Sequence, residues 1–283
     1  MNYRVMRMFG RFKFYRDLYL AFRAAGRPKP VSKNPFDPFT KKSNVNEKLH
    51  KQGIGLGLNL KEEYVDKIRD YARANLCFAD RDSSKGFYLS ELSQVNKVLG
   101  KDVLVAQYFN VSQIRIIKDI LDSNILNSIL NNYFKTEYKL VGTNLWWTFP
   151  GNHTQLEREK HAHMFHRDID DFKFVKLFIY INDVGMDNGP HTVVQGSHKN
   201  KLITKFSDIW KERRYLDSEV ERAYGESIKT ITGPAGTAFF ENTLCLHKGV
   251  TPKTKERLLL QFEWAINDYA ETSDIREVTQ KII

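Results

Sequence analysis

The sequence predicts an α+β chain with an antiparallel sandwich or barrel at its centre. Three observations carry that expectation. The first half shows helical apolar spacing, the stretch from about residue 137 breaks into short strand-like runs between Gly, Pro and Asn turns, and the βαβ alternation of a parallel sheet is absent. The 283 residues are ample for a real core, with 41% hydrophobic and 13% aromatic residues.

The elements follow in chain order. Residues 1–30 hold eight Lys or Arg and one acid, Asp17, and so carry +7 of the net +10. Phe9, Phe12, Phe14, Tyr15, Leu20 and Phe22 interleave with those charges. A basic amphipathic helix at an anionic membrane surface has this pattern, and so does a helix packed on its own domain with solvated arginines. "GRPKPVSKNPFDPF" reads as a linker. A separate segment over 1–45 and a single domain over 46–283 are therefore expected. Within that domain, 46–136 is expected to be helical and about 137–268 to form the barrel. Asn59 and Glu62 give a helix-start signal, and Ile117, Ile120, Leu121, Ile125 and Ile129 repeat at helical spacing. The strand candidates are "YKLVGTNLWWTF", "FKFVKLFIYIND", "HTVVQG", "KTITG", "TAFFEN" and "RLLLQFEWAI". One helical insert over 206–224 interrupts them and could cap a cavity as a lid.

Several function classes lose support at once. No apolar run approaches the ~20 residues that cross a bilayer. The N-terminus has no clean hydrophobic block of a secretory signal. Cys77 and Cys245 are the only cysteines and give no disulfide framework, which fits a reducing cytoplasmic compartment. Because the basicity sits in an appendage, nucleic acid is a poor candidate partner.

The chemistry begins at "MFHRDIDDFKFVKLFIYIND", residues 164–183. His166 and Asp168 are two apart, so on a strand they project from one face. In a chain with eight histidines such a pair arises readily by chance. It gains weight from His247, which ends an apolar run, with Arg257 opening a further strand beyond a Pro-containing turn. An antiparallel hairpin would bring Arg257 back beside His247. Two imidazoles and one carboxylate on a face of a metal are typical of non-haem Fe(II) oxygenases, whereas closed zinc sites usually want four ligands. Arg257 supplies a fixed fork for a carboxylate, which suggests a keto-acid cosubstrate.

These blocks, "FHRDIDDFKFVKLFIYINDV", "DNGPHTVVQGSHK", "GPAGTAFFENTLCLHKG" and the later arginine, resemble the phytanoyl-CoA dioxygenase family from about Leu145 to Trp264. The resemblance implies a double-stranded β-helix, or cupin-like jelly-roll barrel, and an Fe(II)- and 2-oxoglutarate-dependent dioxygenase. It implies His166, Asp168 and His247 as iron ligands and Arg257 on the distal carboxylate of 2-oxoglutarate, with dioxygen as oxidant. Relatives that halogenate replace the carboxylate ligand by Gly or Ala, so Asp168 favours hydroxylation. Several members have a hydroxyl residue two positions after the arginine or the distal histidine, where this chain has Leu259 and Gly249.

Other residues complete the expected site. His161 and His163 offer a rival metal pair, and His163 could instead touch the cosubstrate. Lys176 shares parity with His166 and Asp168 if the strand runs unbroken, which turns it into the cavity toward an anion. Trp147, rather than Trp146, is expected to line the interior. His191 and His198 read as loop-structuring residues. Basic residues near the ligand segments, among them Lys199, Lys201, Lys205, Arg213, Lys248 and Lys253, suit an anionic small molecule, lipid or glycan precursor as substrate. The alternative is a non-catalytic jelly-roll that binds ligands at membranes.

Overall fold

In the computed structural model, the residues described are 2–23, 33–37, 42–200, 213–270, 275–278 and 281–282. Two helices open the chain, α1 (Tyr3–Gly10) and α2 (Lys13–Ala21). Then come α3 (Lys42–Gln52), β1 (Ile54–Asn59), α4 (Glu62–Ala74), β2 (Cys77–Ala79), β3 (Gly86–Phe87), α5 (Leu92–Leu99) and β4 (Val105–Tyr108). Helices α6 (Arg115–Leu121) and α7 (Asn124–Phe134) lead into β5 (Lys139–Thr148), α8 (Gln155–Lys160), β6 (Phe174–Tyr180) and β7 (His191–Val194). The chain closes with α9 (Asp217–Tyr224), β8 (Ile228–Ile231), β9 (Thr237–Glu241), β10 (His247–Gly249) and β11 (Arg257–Ala265).

The strands form an eight-stranded sheet, β1-β9-β6-β11-β5-β4-β2-β3, and a three-stranded sheet, β10-β7-β8, with antiparallel pairing throughout. This is the double-stranded β-helix of an α+β jelly-roll. Side-chain alternation divides each large-sheet strand between two buried layers. Leu258, Leu260 and Phe262 of β11 join Leu177 and Ile179 of β6 in a core shared with Val65 and Ile68 of α4 and Ile129 of α7. Leu259, Phe178, Tyr180 and Trp146 face the other way and meet Val193 and Ile231 of the small sheet. Burial on both faces explains why "FVKLFIY" and "RLLLQFEWA" read as nearly continuous apolar runs.

Four strands of the large sheet, β1 to β4, come from residues 46–136, which the sequence marks as helical. They span two to six residues, and β1 contains two glycines, so alternation hardly registers. Helix α4 starts after Lys61 and not at Asn59, whose side chain donates instead to Asp37. The apolar run through Ile117–Ile129 is two helices, divided where Ser123 Oγ accepts from the Leu126 N–H and caps α7. Of the expected insert at 206–224, residues 206–212 lie outside the described residues, and Asp217–Tyr224 is helical.

Helices α1 and α2 lie against the barrel. Met6 is fully buried, Gly10 packs on Ile169, and Tyr19 stacks on Phe172 with ring centroids 4.5 Å apart. Arg16 turns inward and donates to the Gly10 carbonyl at 2.6 Å. The outward face keeps Phe12, Phe14, Tyr15, Leu18 and Phe22 exposed, with Phe14 at 68% and Phe22 at 84%. No helix among the described residues is long and apolar enough to cross a membrane.

Phe262 sits at the middle of β11, fully buried between two partner strands. Phe262→Ala is expected to lose about 3–5 kcal/mol in urea unfolding. A loss below about 1 kcal/mol would contradict this packing.

Candidate metal centre and its cavity

His166 and His247 face each other across an antiparallel bridge, each backbone N–H donating to the other's carbonyl at 3.0 Å. Asp168 is fixed two residues on, its N–H donating to the Thr243 carbonyl at 2.9 Å. Both imidazoles donate from Nδ1 to a backbone carbonyl: His166 to Met164 at 2.9 Å and His247 to Cys245 at 3.0 Å. That turns each Nε2 toward the other side of the ring, the orientation seen for metal-bound imidazoles. Each Nε2 lies 3.4 Å from a carboxylate oxygen of Asp168. Among the described residues these three side chains are the group that could hold a metal ion, their ligand atoms all within 4.8 Å of one another.

The electrostatics divide the two histidines. Burial works against charge on His247, yet Asp168 and Glu241 outweigh it and raise its imidazole above the ordinary value, so a metal would have to displace that proton. Burial and the neighbouring His247 push the His166 imidazole down to about 4, so it is neutral at ordinary pH. Burial would raise the Asp168 carboxyl, but Lys176 and His247 outweigh it and hold it well below the usual carboxylate range. Lys176 Nζ sits 2.8 Å from Asp168, 2.9 Å from Asp170 and 3.4 Å from Glu263. Burial works against its charge, yet the three acids keep the ammonium well above the ordinary lysine value. Burial pushes the Glu263 carboxyl well up, although Lys176 opposes it.

The geometry departs from the sequence reading in instructive places. The strand carrying Lys176 begins only at Phe174, and His166 and Asp168 precede it in irregular chain tied to the small sheet. Lys176 nonetheless faces the cavity, because β6 keeps its own alternation. Strands β10 and β11 are no hairpin: β10 pairs with β7 in the small sheet, and β11 lies between β5 and β6 in the large one. Arg257 thus meets the centre from the opposite sheet. It is 2% exposed, donates to the Gly189 carbonyl and lies 3.3 Å from Thr148 Oγ1. Gly249 packs beside it, where a Cβ would stand 3.4 Å from Arg257 Nη2 and 3.6 Å from the His163 ring. A hydroxyl does lie beside the guanidinium, that of Thr148, which accepts from Arg257 Nη2. His163 lines the cavity and its Nδ1 pairs with Thr251 Oγ1 at 2.8 Å.

The tryptophan expectation is corrected. Trp146 lines the cavity and Trp147 does not. Trp146 is paired with Leu259, and Trp147 with Leu258 on the outer face, where its indole N–H donates to the Tyr108 hydroxyl at 2.9 Å. The phase is set by Arg257, and the pairing of Arg257 with Thr148 carries Trp146 inward.

Sequence reasoning also missed polar residues on the inner face. Gln107, Asn144, Gln261 and Glu263 line the cavity, with Gln107 donating to Asn144 at 2.9 Å. Gln261 and Glu263 are in phase with Arg257, and that was a legible signal. His191 is no loop residue: it opens β7, lines the cavity and stacks on His247 with ring centroids 5.6 Å apart. Its Nε2 comes within 2.6 Å of the fully buried Glu241, without the alignment of a hydrogen bond. His198 lies apart from the centre, 3.4 Å from Cys245 Sγ, and both cysteines are free and buried. The cavity enclosed by these walls has a volume of about 330 Å³.

Comparison with known proteins gives this geometry a context. The family model described as phytanoyl-CoA dioxygenase (PhyH) matches residues 59–257. No curated protein sequence matches the chain. Among solved structures, the fold is similar to the non-haem α-ketoglutarate-dependent epimerase SnoN from nogalamycin biosynthesis, at 13% identity and a TM-score of 0.52, covering 81% of this chain and 84% of that one. HygX from Streptomyces hygroscopicus, solved with nickel, 2-oxoglutarate and hygromycin B, matches at 11% identity and 0.52, covering 81% and 87%. AviO1 from Streptomyces viridochromogenes Tue57 matches at 12% and 0.52, covering 81% and 96%.

The centre makes a discriminating prediction. Replacing His166, Asp168 or His247 by Ala is expected to weaken Mn(II) binding at least tenfold in calorimetric titration, whereas His161→Ala leaves it within about twofold. The reverse order would move the metal to the rival histidine pair.

Proposed function

Because the chain belongs to the phytanoyl-CoA dioxygenase family, we propose that it is an Fe(II)- and 2-oxoglutarate-dependent dioxygenase that hydroxylates an anionic small molecule, lipid or glycan precursor. The observation that carries this reading is Arg257, a guanidinium buried in the cavity with no carboxylate partner among the described residues and with an unpartnered Nε. A permanently charged, unpaired group in that position is costly unless a ligand neutralises it. A dicarboxylate cosubstrate would do so, its other end reaching the three ligand side chains.

In this reading His166, Asp168 and His247 hold Fe(II), which supplies dioxygen activation for C–H oxidation coupled to decarboxylation of 2-oxoglutarate to succinate. The remaining roles belong to the chain's own residues. Gly189 and Thr148 hold the Arg257 fork against the distal carboxylate, and His163, neutral because burial and Arg257 push its imidazole well down, flanks it without adding charge. Lys176 fixes the orientation of Asp168 by donating to one of its oxygens. Trp146 and Phe178 form an apolar wall that limits water near the reacting carbon.

The reading includes peripheral contact of α1 and α2 with an anionic membrane. Its support is the exposed apolar face around Phe14 and Phe22, bordered by exposed Arg4, Lys13 and Arg23.

Two measurements test these statements. With Fe(II), 2-oxoglutarate and dioxygen, succinate formation is expected in the parent protein and to fall at least a hundredfold in Asp168→Ala; full turnover in that variant would refute the assignment. Co-sedimentation with phosphatidylserine vesicles is expected at low salt and to be lost when Phe14 and Phe22 are both replaced by Ser. Equal binding to neutral phosphatidylcholine vesicles would count against the electrostatic part.

A further inference from the structure

The cavity mouth carries two arginines that the proposed chemistry leaves unused. Arg81 and Arg276 line the same cavity as the metal centre, are exposed, and have no carboxylate partner among the described residues. The acids beside Arg81 are already engaged. Asp80 pairs with Lys101 at 2.8 Å and with His161 at 3.5 Å, and Asp82 binds Lys85 at 3.1 Å and Ser84 Oγ at 2.6 Å.

Each arginine is presented by unusual backbone. Asp80 and Arg81 occupy consecutive left-handed conformations, φ 56° and 62°, in a turn closed by the Asp82 N–H donating to the Ala79 carbonyl at 3.0 Å. Such turns ordinarily use Asn or Gly. Nothing in the turn requires an arginine, and the guanidinium lies over the Trp146 ring, 6.0 Å from its centroid, where that ring walls the cavity. Arg276 is held from 195 residues farther along the chain. The Asn110 amide both donates to its carbonyl at 3.0 Å and accepts from its N–H at 3.1 Å. Asn110 is itself left-handed, at φ 60°.

Arg276 Nη1 donates to the Ile275 carbonyl at 3.0 Å, which leaves its charge uncompensated. Two guanidinium charges without a carboxylate partner among the described residues on one cavity wall suit a multiply charged oxyanion. Resting on the proposed oxygenase reading, we propose that Arg81 and Arg276 form an oxyanion subsite that recognises a phosphate monoester on the substrate, at the end away from the metal centre. The body of that substrate would lie along Trp146 and Phe109, with the amides of Gln107 and Asn144 beside it. Arg257, enclosed on the cavity floor, belongs to the cosubstrate, and so the two anion sites are separate.

The test is calorimetric titration of the full chain with phenyl phosphate, phenol and inorganic phosphate, each with and without Mn(II) and 2-oxoglutarate. Phenyl phosphate is expected to bind with 2-oxoglutarate present, at least tenfold more tightly than phenol or inorganic phosphate. Arg81→Gln and Arg276→Gln should each weaken it about tenfold while leaving 2-oxoglutarate affinity unchanged. Binding that survives both substitutions, competition by 2-oxoglutarate, or inorganic phosphate matching phenyl phosphate would each overturn the subsite. Failure of 2-oxoglutarate to bind would instead refute the oxygenase reading, and the titration without metal and cosubstrate would still decide the subsite.

Discussion

The placement of strand β11 between β5 and β6 is the constraint on which the site depends. With both edges paired, β11 cannot slip by one residue without turning Leu258, Leu260 and Phe262 from the helical core into the cavity. The same register fixes Arg257, Leu259, Gln261 and Glu263 on the inner face and sets which tryptophan of β5 and which residues of β6 join them. The candidate ligand side chains come from the small sheet and the chain before β6. The two halves of the site are thus brought face to face by barrel closure and not by local sequence.

Barrel closure also forces charges together in a dry interior. Lys176, Asp168, Asp170 and Glu263 form one cluster, and Glu241 with His191 forms another behind His247. A buried ion cluster is weak evidence for stability, since desolvation offsets the attraction. Its value here is orientation. Lys176 leaves Asp168 ionised, and the carbonyl partners of both Nδ1 atoms turn both Nε2 atoms toward Asp168, so the three candidate ligand atoms already face one point. Glu241, fully buried without an aligned hydrogen bond, places a further acidic group 3.8 Å from His247 Nδ1.

Much of this was legible in the sequence. The strands β5, β6, β7, β9 and β11 are visible as apolar runs bounded by turns, and β8 as a short run before a Gly-Pro turn, whereas β10, three residues long, is not among the strand candidates. The inward direction of Lys176 is expected only if one strand runs unbroken from His166; the strand starts at Phe174, and it is the pairing of β6 itself that turns Lys176 inward. What failed were inferences across breaks in regularity. The sequence of β5 alone does not show which tryptophan turns inward; the phase comes from the pairing of Arg257 with Thr148. The β10–β11 hairpin was inferred from adjacency, but the intervening turn carries the chain from one sheet to the other. Strands β2 to β4 are two to four residues long and extend the sheet outward from β5, β4 on β5, β2 on β4 and β3 on β2.

The same division separates what the fold conserves in geometry from what it leaves open. The cavity floor is built from paired strands, where a displaced side chain would cost packing on both faces. The mouth is built from a strained turn after β2 and from a late segment tied down by Asn110, neither of which the barrel requires. Residues there can change without disturbing the metal centre, so a common floor can serve different substrates. That is why a family likeness that reads the floor well says little about the mouth. It also makes Arg81, set on left-handed backbone, and Arg276, tied down by Asn110, both without a carboxylate partner among the described residues, more informative about this chain's substrate than any residue of the triad.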